Sequence, residues 1–308
     1  MNPLIVIAGP TASGKTGLSI ALAKQLNTEI VSADSMQIYR YMDIGSAKPN
    51  AEEMDGVIHH LMDVVSPFEE FSVKQYADLA KKAIREIQTK GKIPIMVGGT
   101  GLFINSVIDN ITFSETENDE NIRRELHQYA EKNGNQALHK ILEEIDPDSA
   151  QKIHYNDVKR TVRAVEIFRT TGIPMSEHVK QSKMFPSPYA LFYIGLNMDR
   201  AALYEKINQR VDRMMECGLL EEVQKLLSMG LDDSCQSMQG IGYKELIWHL
   251  QGKLSLEQAV ERIKQESRRY AKRQLTWFRR DERIRWFDAS DPLLLKHVTE
   301  QLKQFIHK

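Results

Sequence analysis

Cysteine is scarce in this 308-residue chain: Cys217 and Cys235 are the two present. They lack metal-ligand spacing and are too few for a disulfide scaffold, which excludes a stapled extracellular fold and makes a reducing, cytoplasmic compartment the expectation. Neither thiol stands out as a nucleophile. Long hydrophobic runs are missing too. Nothing approaches eighteen consecutive apolar residues, so neither a membrane-spanning helix nor a membrane partner is expected. The first residues pass from Met1 through one short apolar run into a glycine-rich loop, which leaves no room for a signal peptide. A net charge of −1 gives no global excess of either sign. What the chain does have is apolar content, 42%, ample for a core at a length of about two domains.

The glycine-rich loop is Gly9, Pro10, Thr11, Ala12, Ser13, Gly14, Lys15, Thr16, which fits G-x-x-x-x-G-K-[ST]. Its context gives the pattern meaning. Leu4 to Ala8 upstream is an apolar run of buried-strand length. Leu18, Ala21, Leu22 and Leu26 downstream recur at helical spacing, so the sequence reads strand, loop, helix. In that arrangement the loop amides and the helix N-terminus make an anion cradle for a diphosphate or triphosphate. Lys15 adds a positive charge and Thr16 a hydroxyl for Mg²⁺. The predicted fold class is α/β, a parallel sheet of the P-loop NTPase kind with flanking helices.

Glu29 to Ala33 reads as a second strand ending in Asp34. Ligands of open α/β sheets sit outside the carboxyl ends of the strands, so Asp34 is expected in the same crevice. It is either a general base, or acceptor for a hydrogen of the nucleophile, or an ordinary turn residue. His59 and His60 carry little metal signal, because adjacent residues of an extended segment face opposite ways and no third ligand is suitably spaced. Ser72 and Gln75 form a capping box for a structural helix. Ile93 to Val97 is a strand that ends in Gly98-Gly99-Thr100-Gly101, where many P-loop NTPases carry an Mg²⁺-holding aspartate. The change argues against a hydrolytic motor, and paired glycines let a ligand approach the backbone. Thr100 either bonds that ligand or caps the next helix.

Strand signals then stop. Residues 114–188 read as a mostly helical insertion that divides an α/β core of 1–113 and 189–308. The insertion is acidic, with eleven Asp or Glu against five Lys or Arg from Ser114 to Asp157. Lys159, Arg160 and Arg163 behind that stretch could clamp a phosphate backbone or line a solvated helix face. The sheet resumes at Leu191 to Leu196. Asp199 caps a helix carrying Lys206, Arg210 and Arg213, one of which could reach the phosphates from the far side. A long helix follows Ser255, and from Arg262 to Arg285 ten basic residues stand against three acidic ones, with Trp277 among them. That composition suits a single-stranded nucleic acid, cations for phosphates and rings for stacking.

Seven motifs in order, GPTASGKT at 9–16, SADSMQIYR at 32–40, GSAKP at 45–49, VGGTGL at 97–102, NDVKRTVRAVE at 156–166, QGIGYKE at 239–245 and YAKRQLTWFR at 270–279, give the chain a resemblance to the tRNA dimethylallyltransferases, or tRNA isopentenyltransferases. The likeness covers nearly the whole sequence. Phe103 departs from the tyrosine often found in the family, and the Cys/His zinc segment of eukaryotic relatives is absent, so the bacterial form is the one resembled. The resemblance implies transfer of a dimethylallyl group from dimethylallyl diphosphate to the exocyclic N6 amine of the adenosine 3′-adjacent to the tRNA anticodon. The implied partners are the anticodon stem-loop and the diphosphate, with Mg²⁺ as cofactor near Thr16 and a monomer as the expected state. Loop amides, Lys15 and Arg210 would neutralise the departing diphosphate while Asp34 removes the amine proton. Thr100 would sit at the reaction channel, and Arg123 would touch tRNA. The RNA-facing surface would comprise Asp34, Ser35, Met36 and Gln37, then Lys159, Arg160, Thr161, Val162 and Arg163. It would continue through Gln239, Gly240, Ile241, Gly242, Tyr243 and Lys244 to Lys272, Arg273, Gln274, Leu275, Thr276, Trp277, Phe278 and Arg279. Two other readings stay compatible with the residues alone. A small-molecule phosphotransferase would leave the basic helix unused, and a non-catalytic nucleotide-regulated RNA-binding protein would not need Asp34.

Overall fold

A computed structural model of the chain describes residues 2–109, 111, 119–183 and 186–306. Strands β1 (Asn2–Ala8), β2 (Ile30–Ser32), β3 (His59–His60), β4 (Ile95–Gly98), β5 (Tyr189–Asn197) and β6 (Arg285–Asp288) form one sheet in the order β3-β2-β4-β1-β5-β6. Every pairing is parallel. β1 is interior because Leu4 to Ala8 are apolar toward both faces, and all five are wholly buried, as a parallel strand covered by helices requires. Each large side chain there contributes about 1.5–3 kcal/mol by burial. The register sets strand ends level: Ala8 pairs with Gly98 and Gly195, and Ser32 with Val97. The segments leaving β1, β2 and β4 therefore emerge at one edge, where α/β sheets bind ligands.

Two compact units make up the chain, Met1–Val107 with Tyr189–Lys308, and Ile108–Pro188. In the first unit, α1 (Lys15–Leu26) starts at Gly14, whose φ is 82°, and stops at the left-handed Asn27. α2 (Ala51–Met54) is a single turn. α3 (Val73–Thr89) opens on the Ser72/Gln75 capping box and buries Tyr76, Ala77, Ala80, Ala83, Ile84 and Ile87 at helical spacing. α4 (Gly101–Ile108) follows the glycine turn. Phe103 on it is buried and stacks on Tyr76 with ring centroids 3.9 Å apart. An apolar ring suffices at that position.

In the second unit all described elements are helices: α5 (Glu120–Asn133), α6 (Asn135–Ile145), α7 (Pro147–Ala150), α8 (Val158–Thr171) and α9 (Met175–Lys183). Leu126, Leu138, Leu142, Val162 and Val165 form their core. Ser114, the expected start of the insertion, lies outside the described residues.

The first unit continues with α10 (Arg200–Glu216), α11 (Leu219–Ser228), a 3-10 turn at Ser237–Gln239, α12 (Tyr243–Leu250), α13 (Leu256–Phe278) and α14 (Leu294–Ile306). Asp199 caps α10, accepting from the amides of Ala201 (2.8 Å) and Ala202 (3.1 Å). α13 opens on a Ser255/Gln258 capping box and buries Ala259, Ile263, Ala271, Gln274 and Phe278. A glutamine in that otherwise apolar stripe has to find partners.

Candidate active site

A cavity of about 370 Å³ opens at the shared strand edge. Thr11, Lys15 and Thr16 line it from the glycine loop, Asp34 from the turn after β2, and Gly98 and Gly99 from the end of β4. Opposite stand Arg210 with Ile207, Val211 and Met214 on α10, and Ile263, Tyr270 and Arg273 on α13. The loop has the positive-φ residues that an anion nest requires: Ala12 (φ 61°) and Gly14 (φ 82°) stand on either side of Ser13, whose φ is not positive. Glycine is required at position 9, where a Cβ would lie 2.8 Å from the Leu196 carbonyl oxygen. Ser13 Oγ is buried with no hydrogen-bond partner among the described residues. A phosphate oxygen would satisfy it.

Positive charge is concentrated here beyond its compensation. Lys15 Nζ donates to the Pro10 carbonyl at 2.6 Å. Burial, then the neighbouring Arg210 charge, push the Lys15 pKa down to about 7, with Asp34 acting the other way. Burial also works against the Arg210 charge, opposed by Asp34. Three basic side chains, Lys15, Arg210 and Arg273, thus line one cavity with a single acid, a setting that favours an anion.

Asp34 makes the turn and lines the cavity at once. Its Oδ1 accepts from the Met36 amide at 2.9 Å, and the residue still lines the cavity. Thr100 Oγ1 accepts from the Ser35 amide (3.1 Å), and its own amide donates to the Ala33 carbonyl (3.2 Å). Its side chain also meets Tyr270, which lines the cavity, and its carbonyl accepts the Ile104 amide (3.2 Å) at the start of α4. Thr100 therefore fastens the turn that carries Asp34 beside the cavity. Of the three cations expected on α10, Arg210 reaches the cavity, while Lys206 and Arg213 are exposed.

Mg²⁺ commonly keeps several waters and takes one or two protein oxygens together with phosphate oxygens. No cluster of three His, Cys, Asp or Glu residues suited to a metal occurs among the described residues. The Thr16 hydroxyl and the Asp34 carboxyl on one cavity wall fit an ion shared with a bound diphosphate, not a cage built of protein alone. The adjacent histidines do not converge: His59 Nδ1 meets the Val57 carbonyl and His60 Nε2 the Glu29 carboxyl.

The contiguous runs assigned to RNA sort by face. On α13, Lys272, Arg273, Thr276 and Arg279 are exposed, whereas Gln274 and Phe278 are buried and Leu275 is half-buried. Trp277, 40% exposed, packs where a Cβ on Gly101 would lie 2.2 Å away, and its Nε1 donates to Asn105 Oδ1 (2.8 Å). Tyr243, Thr161 and Val162 are buried too. These side chains hold structure, because a helix shows solvent only part of any consecutive run. Met36 packs against Gly240, joining the turn after β2 to the 239–242 loop; Gln37, Gln239 and Ile241 line the cavity, and Lys244 is half-buried beside Trp248. In the second unit Arg123 (3.0 Å) and Arg163 (2.8 Å) meet on the buried Glu166, while Lys159 and Arg160 are exposed.

Two residues, Glu222 and Tyr270, escaped the sequence reading, and Gln274, expected on the RNA-facing surface, takes a different place. Glu222 anchors the 43–45 loop through its backbone amides. Gln274 joins two loops of the site. Tyr270 lines the cavity, its hydroxyl pushed up to about 12 by burial and then by Asp34. The spacing of Gln274 and Trp277, one helical turn apart, against the paired glycines of 97–102 was the available signal.

Fold and cavity define a phosphate-loop α/β protein whose strand-edge cavity brings the loop, cationic side chains and one acid together, with a glycine turn at the end of β4. The profile of the IPP transferase family matches residues 37–281. The tRNA dimethylallyltransferase of Acetivibrio thermocellus is 52% identical, over 99% of both chains, and that of Carboxydothermus hydrogenoformans 51%, over 97% of this chain and 96% of the relative. The full-length tRNA isopentenylpyrophosphate transferase of Bacillus halodurans superimposes with a TM-score of 0.74 at 48% identity, covering 100% of this chain and 96% of that one. A eukaryotic dimethylallyltransferase acting on tRNA gives a TM-score of 0.81 at 30% identity, covering 98% and 78%. The chain belongs to the IPP transferase family of tRNA dimethylallyltransferases.

Proposed function

We infer that this protein transfers a dimethylallyl group from dimethylallyl diphosphate to the exocyclic N6 amine of the adenosine 3′-adjacent to the tRNA anticodon, releasing diphosphate. The observation that carries the reading is the placement of Lys15, Arg210 and Asp34 on one cavity. An adenine amine is a weak nucleophile, so catalysis rests on the leaving group and on positioning. Loop amides, Lys15 and Arg210 take up the negative charge that grows as the allylic carbon–oxygen bond breaks. The amine nitrogen forms the new bond to that carbon, and Asp34 accepts the proton it sheds. Mg²⁺, held by Thr16 and the phosphates with Asp34 nearby, would supply further charge neutralisation. The adenosine has to leave its stack to reach a cavity of this kind. Lys272, Arg273 and Arg279, exposed and without an ion pair among the described residues, are the cations for the RNA backbone.

Incubation with unmodified tRNA, Mg²⁺ and labelled dimethylallyl diphosphate tests the reading. Label is expected in tRNA, with one diphosphate released per transfer. Unlabelled tRNA together with consumption of ATP would favour the phosphotransferase instead.

A further inference from the structure

We propose that Gln274 is a positioning residue that sets the separation between the diphosphate cradle and the acid-bearing turn; the proposal rests on the transfer reaction inferred above. Gln274 is 5% exposed on a helix whose outer faces are densely charged. Both ends of its amide are in use. Oε1 accepts from the Thr11 amide at 2.9 Å, and Nε2 donates to the Gly99 carbonyl at 2.9 Å. The two partners fix the amide's orientation, since a backbone N–H only donates and a carbonyl only accepts. The approach is close by construction: a Cβ on Gly99 would lie 2.2 Å from Nε2.

From Gly99 the connection runs on to Asp34. A Cβ on Gly98 would sit 2.1 Å from the Ala33 carbonyl oxygen, so the two backbones touch. The Thr100 amide donates to Ala33, and Thr100 Oγ1 accepts from Ser35. Asp34 is thereby held from both flanks by the turn that Gln274 grips. The other end of the same side chain holds the loop that cradles the leaving group.

In the transfer, the allylic carbon is carried by the loop side and the amine by the Asp34 side, and the reacting atoms have to come within about 3–3.5 Å. A displacement of about 1 Å between such partners costs on the order of a hundredfold in rate. An apolar residue would fill the same stripe position on α13 without setting that distance.

The test compares Gln274→Met, which fills the volume without hydrogen bonds, and Gln274→Glu, which keeps an acceptor for Thr11 but loses the donor to Gly99. Single-turnover transfer of labelled dimethylallyl diphosphate to tRNA is measured at saturation, and the Kd of each substrate is measured separately. The expected result is a fall of about 10- to 100-fold in single-turnover rate for both variants. For Gln274→Met, both Kd values and the thermal midpoint should stay near wild type. If that variant does not fold, Gln274→Glu decides alone. A rate within about threefold of wild type, or a loss accounted for by weaker binding, overturns the positioning role while leaving the reaction intact. A wild-type protein that transfers nothing overturns the reaction and this role with it.

Discussion

The Tyr243 hydroxyl donates to Glu222 Oε1 at 2.8 Å, and the same carboxylate accepts the amides of Asp43, Ile44 and Gly45 at 2.7–3.0 Å. One acid on α11 therefore ties the GSAKP loop to the QGIGYKE segment. Burial, reinforced by the Glu222 charge, holds the Tyr243 hydroxyl well above its usual pKa, so it remains a donor. The loop so held supplies Gly45, Ser46 and Ala47 to the cavity wall.

This packing makes Gly45 intolerant of a side chain. A Cβ there would lie 2.5 Å from the Tyr243 ring, which is wholly buried and cannot yield. Gly45→Ala should lose about 1–3 kcal/mol of stability, the usual cost of overpacking. Gly17→Ala, in α1 with nothing within 4 Å of the new Cβ, should be neutral or slightly stabilising. Urea denaturation of the two variants checks this, and equal losses would refute the steric account.

Asp34→Ala removes the acid while leaving the exposed cations of α13 in place. Turnover should fall by about two orders of magnitude or more, the scale of a lost general base. tRNA affinity should stay within a few fold. Paired measurements of kcat and tRNA Kd decide it; near-normal turnover would remove Asp34 from the chemistry.

Lys15 gives diphosphate binding a pH dependence of definite sign. Its pKa is lowered from 10.5 to about 7 in the free protein, so it is half charged near pH 7 and largely neutral at pH 8.5. A bound diphosphate favours the charged form and raises that pKa. Binding above pH 7 must then take up a proton, and affinity should fall by up to about tenfold per pH unit as pH rises. Below pH 7 Lys15 is already charged and contributes no slope. Calorimetry with dimethylallyl diphosphate at pH 8.5, in two buffers of different ionisation enthalpy, should show uptake of about one proton. Lys15→Arg, charged throughout, should show none.

Much of this site was legible as sequence. The loop at 9–16 announced itself through its neighbours, an apolar strand before and a helix after, and Asp34 followed from the rule that strand ends face the ligand. Helix starts at Ser72, Asp199 and Ser255 were visible because a cap is a local event. What stayed hidden depends on contacts far apart in the chain. β6 is a short run of charged and aromatic residues, Arg285 to Asp288, that becomes a strand through pairing with β5. Gln274 read as part of an RNA-facing run, since the partners that show its structural role lie 263 and 175 positions away. Tyr243 and Phe278 read as RNA contacts because motif matching selects consecutive residues, while the helix buries those on its inner side.

The sorting of cations on α13 leads to a last test. Lys264 pairs with Asp212 (2.6 Å) and Arg269 with Glu266 (2.6 Å), so each has its charge compensated within the protein. Lys272 and Arg273 make no ion pair among the described residues, and Arg273 lies over the Tyr270 ring at the cavity wall. Phosphate contacts release counterions, so each one adds about one unit to the slope of log K against log salt. Lys272→Ala and Arg273→Ala should each weaken tRNA binding and reduce that slope by about one. Lys264→Ala should leave the slope near wild type, because Asp212 rather than RNA is the partner removed. Filter binding across a salt series distinguishes them. A similar change in all three variants would mean that RNA responds to the total charge of the helix and not to its uncompensated residues.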